Sequence, residues 1–115
     1  MAELGTVTLT VGPRDDVSER VRGAFAGVAQ GSRITFPSVD LLWKVLGPKR
    51  LAVLRTMAGQ GPLSIREVAR RVDRDVKSVH GDVRALLEAG LLEEGEGGVR
   101  FPHTAIHVDF TLRAA

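Results

Sequence analysis

The sequence predicts a small α+β domain, mostly helical, and three observations carry that prediction. The chain has 115 residues, 43% of them hydrophobic and 26% charged, which suits one globular domain. Residues 38–89 place apolar side chains at helical spacing, interrupted by glycine, proline and capping residues. The segments 6–11 and 106–112 instead alternate apolar and polar residues, which is typical of strands.

The first part of the chain predicts a strand followed by a helix. Residues 6–11 form the strand, and residues 15–30 place their apolar side chains on one helical face. Residues 33–36 are consistent with either a strand or a packed linker. We therefore divide the chain into an N-terminal strand–helix extension over 1–36, suited to dimerisation, and a domain over 37–115 that includes a C-terminal strand.

The central helices have recognisable first residues. Ser38 is placed to cap one helix, and Pro48 stands at the start of the next, which runs to about residue 58. Ser64 and Glu67 have the spacing of a capping box, in which the hydroxyl and the carboxylate each satisfy a backbone amide. This pattern predicts a short helix over 64–72.

A longer helix, about residues 75–89, follows after a three-residue turn and is capped by Asp75. The turn contains Asp73, and aspartate tolerates the left-handed conformation that such turns need. Residues 91–94 and 99–101 flank a glycine-rich turn and predict a β-hairpin. A short helix, a turn and a longer helix suit a helix-turn-helix, whose second helix enters a DNA major groove about 12 Å wide.

Two segments carry a family resemblance: LSIREVARRV at residues 63–72 and DVKSVHGDVRALLEAGLL at residues 75–92. They resemble the supporting and recognition helices of winged helix-turn-helix transcription regulators of the MarR and ArsR type, in which the hairpin is the wing. Nearly the whole chain is similar to short prokaryotic DNA-binding proteins, some related to antitoxins, with a strand and helix before the winged domain and a strand after it. The resemblance implies sequence-specific binding of double-stranded DNA.

Positive charge is concentrated in the same region. Residues 44–84 hold ten Lys/Arg and four Asp/Glu, a net charge of +6, although the whole chain carries only +2. A clustered basic stretch favours a polyanion such as nucleic acid, and a solvated helix surface is the plain alternative. We therefore expect a small dimeric regulator, a repressor, with helix 75–89 in the major groove.

Helix geometry selects the candidate contacts. Val79, Val83 and Leu86 must face the core, which leaves the opposite face of helix 75–89 outward. By reach and by resemblance, the candidates for base edges or flanking phosphates are Lys77, Ser78 and Arg84, with His80 nearer the side. The candidates for the phosphate backbone are Arg66, Arg70, Arg71 and Arg74.

Two features depart from the family pattern. Gly81 occupies a position where such regulators present a long side chain, so either the backbone approaches its target closely there or affinity is reduced. The predicted wing is acidic, with Glu93, Glu94 and Glu96 against Arg100, and we expect it to touch DNA through Arg100 alone or to stay off it.

Other functions have weaker support. The chain has no cysteine or tyrosine and only three histidines, so we predict neither an enzyme nor a cofactor. His103 and His107 are four residues apart on a strand or loop, a spacing that does not bring both onto one metal ion. No stretch approaches the roughly 20 apolar residues of a membrane span, so we expect a soluble, cytoplasmic protein.

The serious alternative is a protein-interaction module, for example an antitoxin that binds a toxin-like protein. Gly81 and the acidic wing favour this alternative. Dimerisation is a further hypothesis, motivated by the strand over 6–11, the helix that contains Phe25 and the apolar face of 105–112. Isolated strands need partners, so these terminal elements pair either within one chain or with a second copy, which would give a homodimer.

Overall fold

The computed structural model of the chain describes residues 5–12, 32–112 and 114. These residues form an α+β protein with four helices and five strands, in agreement with the predicted class. The predicted helix over 15–30 lies outside the described residues. In chain order the elements are β1 (Thr6–Val11), β2 (Ser32–Phe36), α1 (Val39–Val45), α2 (Pro48–Met57), α3 (Ile65–Val72), α4 (Val76–Glu88), β3 (Glu93–Gly95), β4 (Gly98–Arg100) and β5 (Ala105–Asp109).

The helices begin where the sequence predicts. The Leu41 N–H donates to Ser38 Oγ at 3.1 Å, and the Glu67 N–H donates to Ser64 Oγ at 3.0 Å. The Asp75 carboxylate likewise accepts from the Ser78 N–H. One half of the predicted capping box is wrong, because the Glu67 carboxylate accepts hydrogen bonds from two arginines instead of a backbone amide.

A left-handed residue joins α3 to α4. Asp73 has φ 58° and ψ 51°, as its position in the turn predicts. The next residue, Arg74, donates its N–H to the Ala69 carbonyl at 3.0 Å, which closes the end of α3 in the manner of a Schellman motif. Only residues 73–75 therefore separate the end of α3 from the start of α4.

The chain divides into two compact units, one made of Met1–Trp43 and Ala105–Ala115, the other of Lys44–Thr104. This division differs from the predicted boundary after residue 36. The reason is that β5 pairs with β1, which places the C-terminal strand in the first unit.

The first unit contains a parallel sheet in the order β2-β1-β5. Its central strand places Leu9 opposite Ile34 on one side and Val108 on the other. Val7 and Leu9 are fully buried. Pairing within the chain resolves the alternative left open by the sequence, since β1 takes both of its neighbours from its own chain.

The second unit packs α2, α3 and α4 around an apolar core and adds the antiparallel β3–β4 hairpin. Leu63 and Val99 exchange backbone hydrogen bonds of 2.8 and 2.9 Å, which tie the segment before α3 to β4. Gly98 makes this close approach possible, because a side chain there would collide with the Leu63 backbone. The fully buried side chains of this unit are Val53, Leu54, Met57, Val68, Val79, Val83, Leu86 and Leu91.

None of the helices within the described residues combines the length and the apolar character that crossing a membrane requires.

Candidate nucleic-acid interface

One face of α4 is buried and the other is open. Val79, Val83 and Leu86 have no exposed surface, which confirms their predicted place in the core. The predicted contact residues of this helix are all exposed and define what we call the α4 face: Lys77, Ser78, His80, Gly81 and Arg84.

The α4 face carries its positive charge on one stripe. Lys77, Gly81 and Arg84 follow the spacing i, i+4 and i+7, so they lie in line along the helix. The Arg84 side chain is 60% exposed, and its Nη2 atom lies 4.0 Å from a Glu88 oxygen. A pair so exposed and so long contributes little, which leaves Arg84 available to an anion.

Ser78 makes hydrogen bonds to Asp75, the residue that caps the start of α4. Its hydroxyl donates to Asp75 Oδ1 at 2.9 Å, and its N–H donates to Asp75 Oδ2 at 3.0 Å. These two hydrogen bonds lower the pKa of Asp75 below its ordinary value. The Ser78 oxygen retains its lone pairs, so it can still accept a hydrogen bond from a ligand.

Arg70 and Arg71 on α3 share one carboxylate. Arg70 donates to both Glu67 oxygens at 3.0 and 2.6 Å, and Arg71 donates to Glu67 Oε2 at 2.7 Å. Arg71 also donates to Gln60 Oε1 at 3.3 Å. The hydrogen bonds from Arg70 and then Arg71 lower the pKa of Glu67 to about 2. Arg66 is exposed and has no ion pair among the described residues.

The Arg74 side chain is largely buried within the second unit, to which the residue belongs. Its Nη1 lies 2.8 Å from Asp82 Oδ2, and both atoms are buried in an ion-pair contact whose angle is not that of a hydrogen bond. Arg50 Nε donates to the other oxygen of Asp82 at 3.0 Å, and Arg50 Nη1 donates to the carbonyls of Lys44 and Val45. The Arg74 guanidinium therefore stabilises the fold through Asp82 and is not available to the phosphate backbone as predicted, unlike the exposed side chains of the α4 face.

The β3–β4 hairpin has more acidic than basic side chains on its surface. Glu93, Glu94 and Glu96 are exposed. Arg100 is 52% exposed, and its Nη2 lies 3.0 Å from Glu93 Oε1, so its charge is already paired. The hairpin therefore offers less to a phosphate than the α4 face does.

Sequence reasoning missed the partners of these arginines. Asp82 is the one acidic residue between Val76 and Leu87, and an acid within a basic helix is a signal that it neutralises a neighbour. The spacing of Glu67 from Arg70 and Arg71, i+3 and i+4, also predicts contact. The place of Arg50 depends on the packing of α2 against α4, which no local pattern encodes.

An open concavity of about 470 Å³ lies between α3 and the start of α4. Arg66, Arg70, Glu67, Asp75 and Val76 are among the residues that line it, so its charges are mixed. Within the described residues, no group of three His, Asp or Glu side chains is placed to hold a metal ion.

The fold and the site define a small α+β protein whose second unit carries an exposed cationic helix face. The chain belongs to the HVO_A0114 family, whose model matches residues 45–108, more than half of the chain. The match takes in α2, α3, α4 and the β3–β4 hairpin. No curated protein and no solved structure is significantly similar to the chain.

Proposed function

We propose that this chain is a winged helix-turn-helix protein that binds double-stranded DNA sequence-specifically and regulates transcription, as a repressor. In this proposal α3 is the supporting helix, α4 is the recognition helix and the β3–β4 hairpin is the wing. The observation that carries the proposal is the α4 face, on which Lys77 and Arg84 are exposed while Val79, Val83 and Leu86 on the opposite side of the helix are fully buried.

Two further observations support the winged helix. The left-handed turn at Asp73 joins a helix of 8 residues to one of 13, and a recognition helix needs such length to reach into the groove. The Leu63–Val99 bridge adds a third short strand segment to the hairpin, which anchors the wing beside the supporting helix.

We assign the proposed contacts according to how exposed each side chain is and whether it already forms an ion pair. Lys77 and Arg84 reach base edges or flanking phosphates, and guanine O6 and N7 are the acceptors that such cations prefer. Ser78 and His80 lie at the border of the same face. Arg66 is the α3 arginine best placed to bind a phosphate, since Arg70 and Arg71 share Glu67.

A salt titration tests the proposal. The affinity of the protein for duplex DNA, measured by fluorescence anisotropy, should fall linearly with salt concentration on a double-logarithmic plot, because binding releases counterions from the phosphates. An affinity that does not depend on salt, or no binding at low salt, would reject DNA binding.

The double variant Lys77→Ala/Arg84→Ala tests the site itself. We expect duplex binding to be abolished, a loss of at least about 100-fold, because two cationic contacts are removed together. The melting temperature should hardly change, since both side chains are exposed.

The matched control is Lys49→Ala/Arg55→Ala, which removes the same charge from exposed positions of α2. This control should weaken binding by less than about fivefold, the share expected of general electrostatic attraction. Equal losses in the two double variants would show that the α4 face is not the binding surface.

The proposed regulator acts as a homodimer on a pseudo-palindromic site. Intrachain pairing of β1 removes one reason for a dimer, and the remaining support is apolar surface on the first unit. There Trp43 is 47% exposed and packs edge to face against Phe110 at 5.9 Å. Leu41 and Leu112 are also exposed. Light scattering that shows a monomer at roughly tens of micromolar, where weak dimers assemble, would contradict this part of the proposal.

A protein partner is the second candidate function, and the exposed acids of the β3–β4 hairpin favour it. A basic, toxin-like protein would fit that surface, as in an antitoxin. Neutralising the hairpin with Glu93→Gln, Glu94→Gln and Glu96→Gln separates the two functions. Duplex affinity should be unchanged or raised, whereas binding to a basic partner should be lost.

A further inference from the structure

Gly81 lies in the middle of α4 and has no structural reason to be glycine. It is exposed, and glycine is among the least favourable residues within a helix. Its φ angle is not positive, unlike those of Gly59, Gly90, Gly97 and Gly98. A Cβ atom added to Gly81 would meet nothing within 4 Å. Neither backbone conformation nor packing within the described residues therefore requires glycine here.

The surroundings of Gly81 make it a gap in a row of long side chains. Lys77 lies one turn before it and Arg84 one turn after it, both exposed on the same stripe. Helical side chains lean toward the N-terminus, so the stem of Arg84 borders the gap. The floor of the gap is the Gly81 backbone, whose accessible Cα is apolar, and cations stand at both ends.

We infer that this gap is a subsite for the C5 methyl group of a thymine, an inference that rests on the proposed binding of α4 in the major groove. Thymine contributes the apolar group to the major-groove edge of the four bases, beside an array of hydrogen-bond donors and acceptors. A small apolar recess between two cations fits a thymine flanked by acceptor-rich base pairs or phosphates. Gly81 is thus a specificity-determining residue, because any side chain would fill the recess.

The test begins with a duplex that the wild-type protein selects from a pool with a randomised core. In the selected duplex, deoxyuridine replaces each thymine in turn, which removes one methyl group and no hydrogen-bonding atom. One such replacement should weaken wild-type binding by about fourfold, the effect of one buried methyl group.

The variant Gly81→Ala should bind the selected duplex about tenfold less tightly, because the alanine methyl group and the thymine methyl group compete for the same space. Replacement of that thymine by deoxyuridine should therefore no longer weaken binding of the variant and should restore part of its affinity. Its melting temperature should rise, because alanine favours the helix, and this shows that the loss does not come from unfolding. Gly61→Ala is the matched control, since that exposed glycine also has nothing within 4 Å of an added Cβ. It should leave binding of the selected duplex within twofold of the wild type.

The outcomes separate this inference from the proposed function. If the wild-type protein binds no duplex at low salt, the proposed function fails and the inference fails with it. If the wild type binds but Gly81→Ala binds equally well, the inference alone is overturned. If Gly81→Ala weakens binding but no deoxyuridine does, the thymine methyl group is overturned as the occupant of the gap.

Discussion

Glu67 controls how much charge two arginines present to a ligand. Its carboxylate binds both Arg70 and Arg71, so a phosphate must compete with it for either guanidinium. We predict that Glu67→Gln raises duplex affinity and steepens its salt dependence, because the variant frees positive charge on α3. Anisotropy titrations at several salt concentrations measure both effects, and an unchanged slope would show that these arginines lie away from the DNA.

The same carboxylate gives a pH dependence of stability. The pKa of Glu67 is lowered from 4.5 to about 2 in the folded chain, through hydrogen bonds from Arg70 and Arg71. A lowered folded-state pKa stabilises the fold fully above about pH 4.5, and that contribution is lost as the pH falls toward 2.

Thermal unfolding of the wild type and of Glu67→Gln tests this dependence. The wild type should have the higher melting temperature near neutral pH, and the difference should shrink as the pH falls toward 2, where about half of the Glu67 carboxylates are protonated. A difference that persists with the same size in acid would contradict the ion pairs as its source.

Asp82 ties α4 to α2 and to the turn before α4. Its carboxylate is only 15% exposed and lies between Arg50 and Arg74. We predict that Asp82→Asn lowers the free energy of unfolding by about 1–2 kcal/mol, because Arg74 loses its counter-charge in a half-buried site. Urea unfolding measures this loss.

Glu88→Gln serves as the control on the same helix. Its carboxylate is 74% exposed and lies 4.0 Å from Arg84, so the substitution should change stability by less than about 0.5 kcal/mol. Equal effects of the two substitutions would mean that Asp82 does not hold α4 in place.

The elements that sequence predicts well are those whose cause is local. Ser38, Ser64 and Asp75 each cap a helix through an amide three residues away, so a short pattern contains the whole interaction. The left-handed Asp73 is local in the same sense. The inward face of α4 is also predicted, because three apolar side chains at helical spacing must share one side.

The parts that sequence did not predict depend on distant residues. The pairing of Thr6 with Ala105 joins segments with no common pattern, and β1 alone is compatible with several partners. Arg74 is another case, since its side chain points inward to form an ion pair with Asp82 of the next helix, and both side chains are largely buried. For this reason the sequence identified Arg74 as basic but did not show that it turns inward.

The first unit is assembled from both ends of the described chain. The central strand β1 pairs with β5, so removal of residues 105–115 would leave β1 with β2 as its one neighbour in the sheet. We predict faster hydrogen exchange at the amides of Thr6–Val11 in that truncated chain, because ladder hydrogen bonds are lost.

A shorter truncation that removes residues 111–115 is the control, because β5 ends at Asp109. Exchange at β1 should then match that of the full chain. Equal protection of β1 in both truncated chains would contradict the pairing of β1 with β5.

The long separation between β1 and β5 also affects the order of folding. Bringing residue 6 to residue 105 closes a large loop, and the chain loses conformational entropy before the strands can bond. The helices and the hairpin of Lys44–Thr104 make contacts between residues that are closer in sequence, and such contacts form rapidly. Trp43, the chain's single tryptophan, packs on Phe110 beyond β5, so its fluorescence during refolding should follow the slow arrival of the last strand.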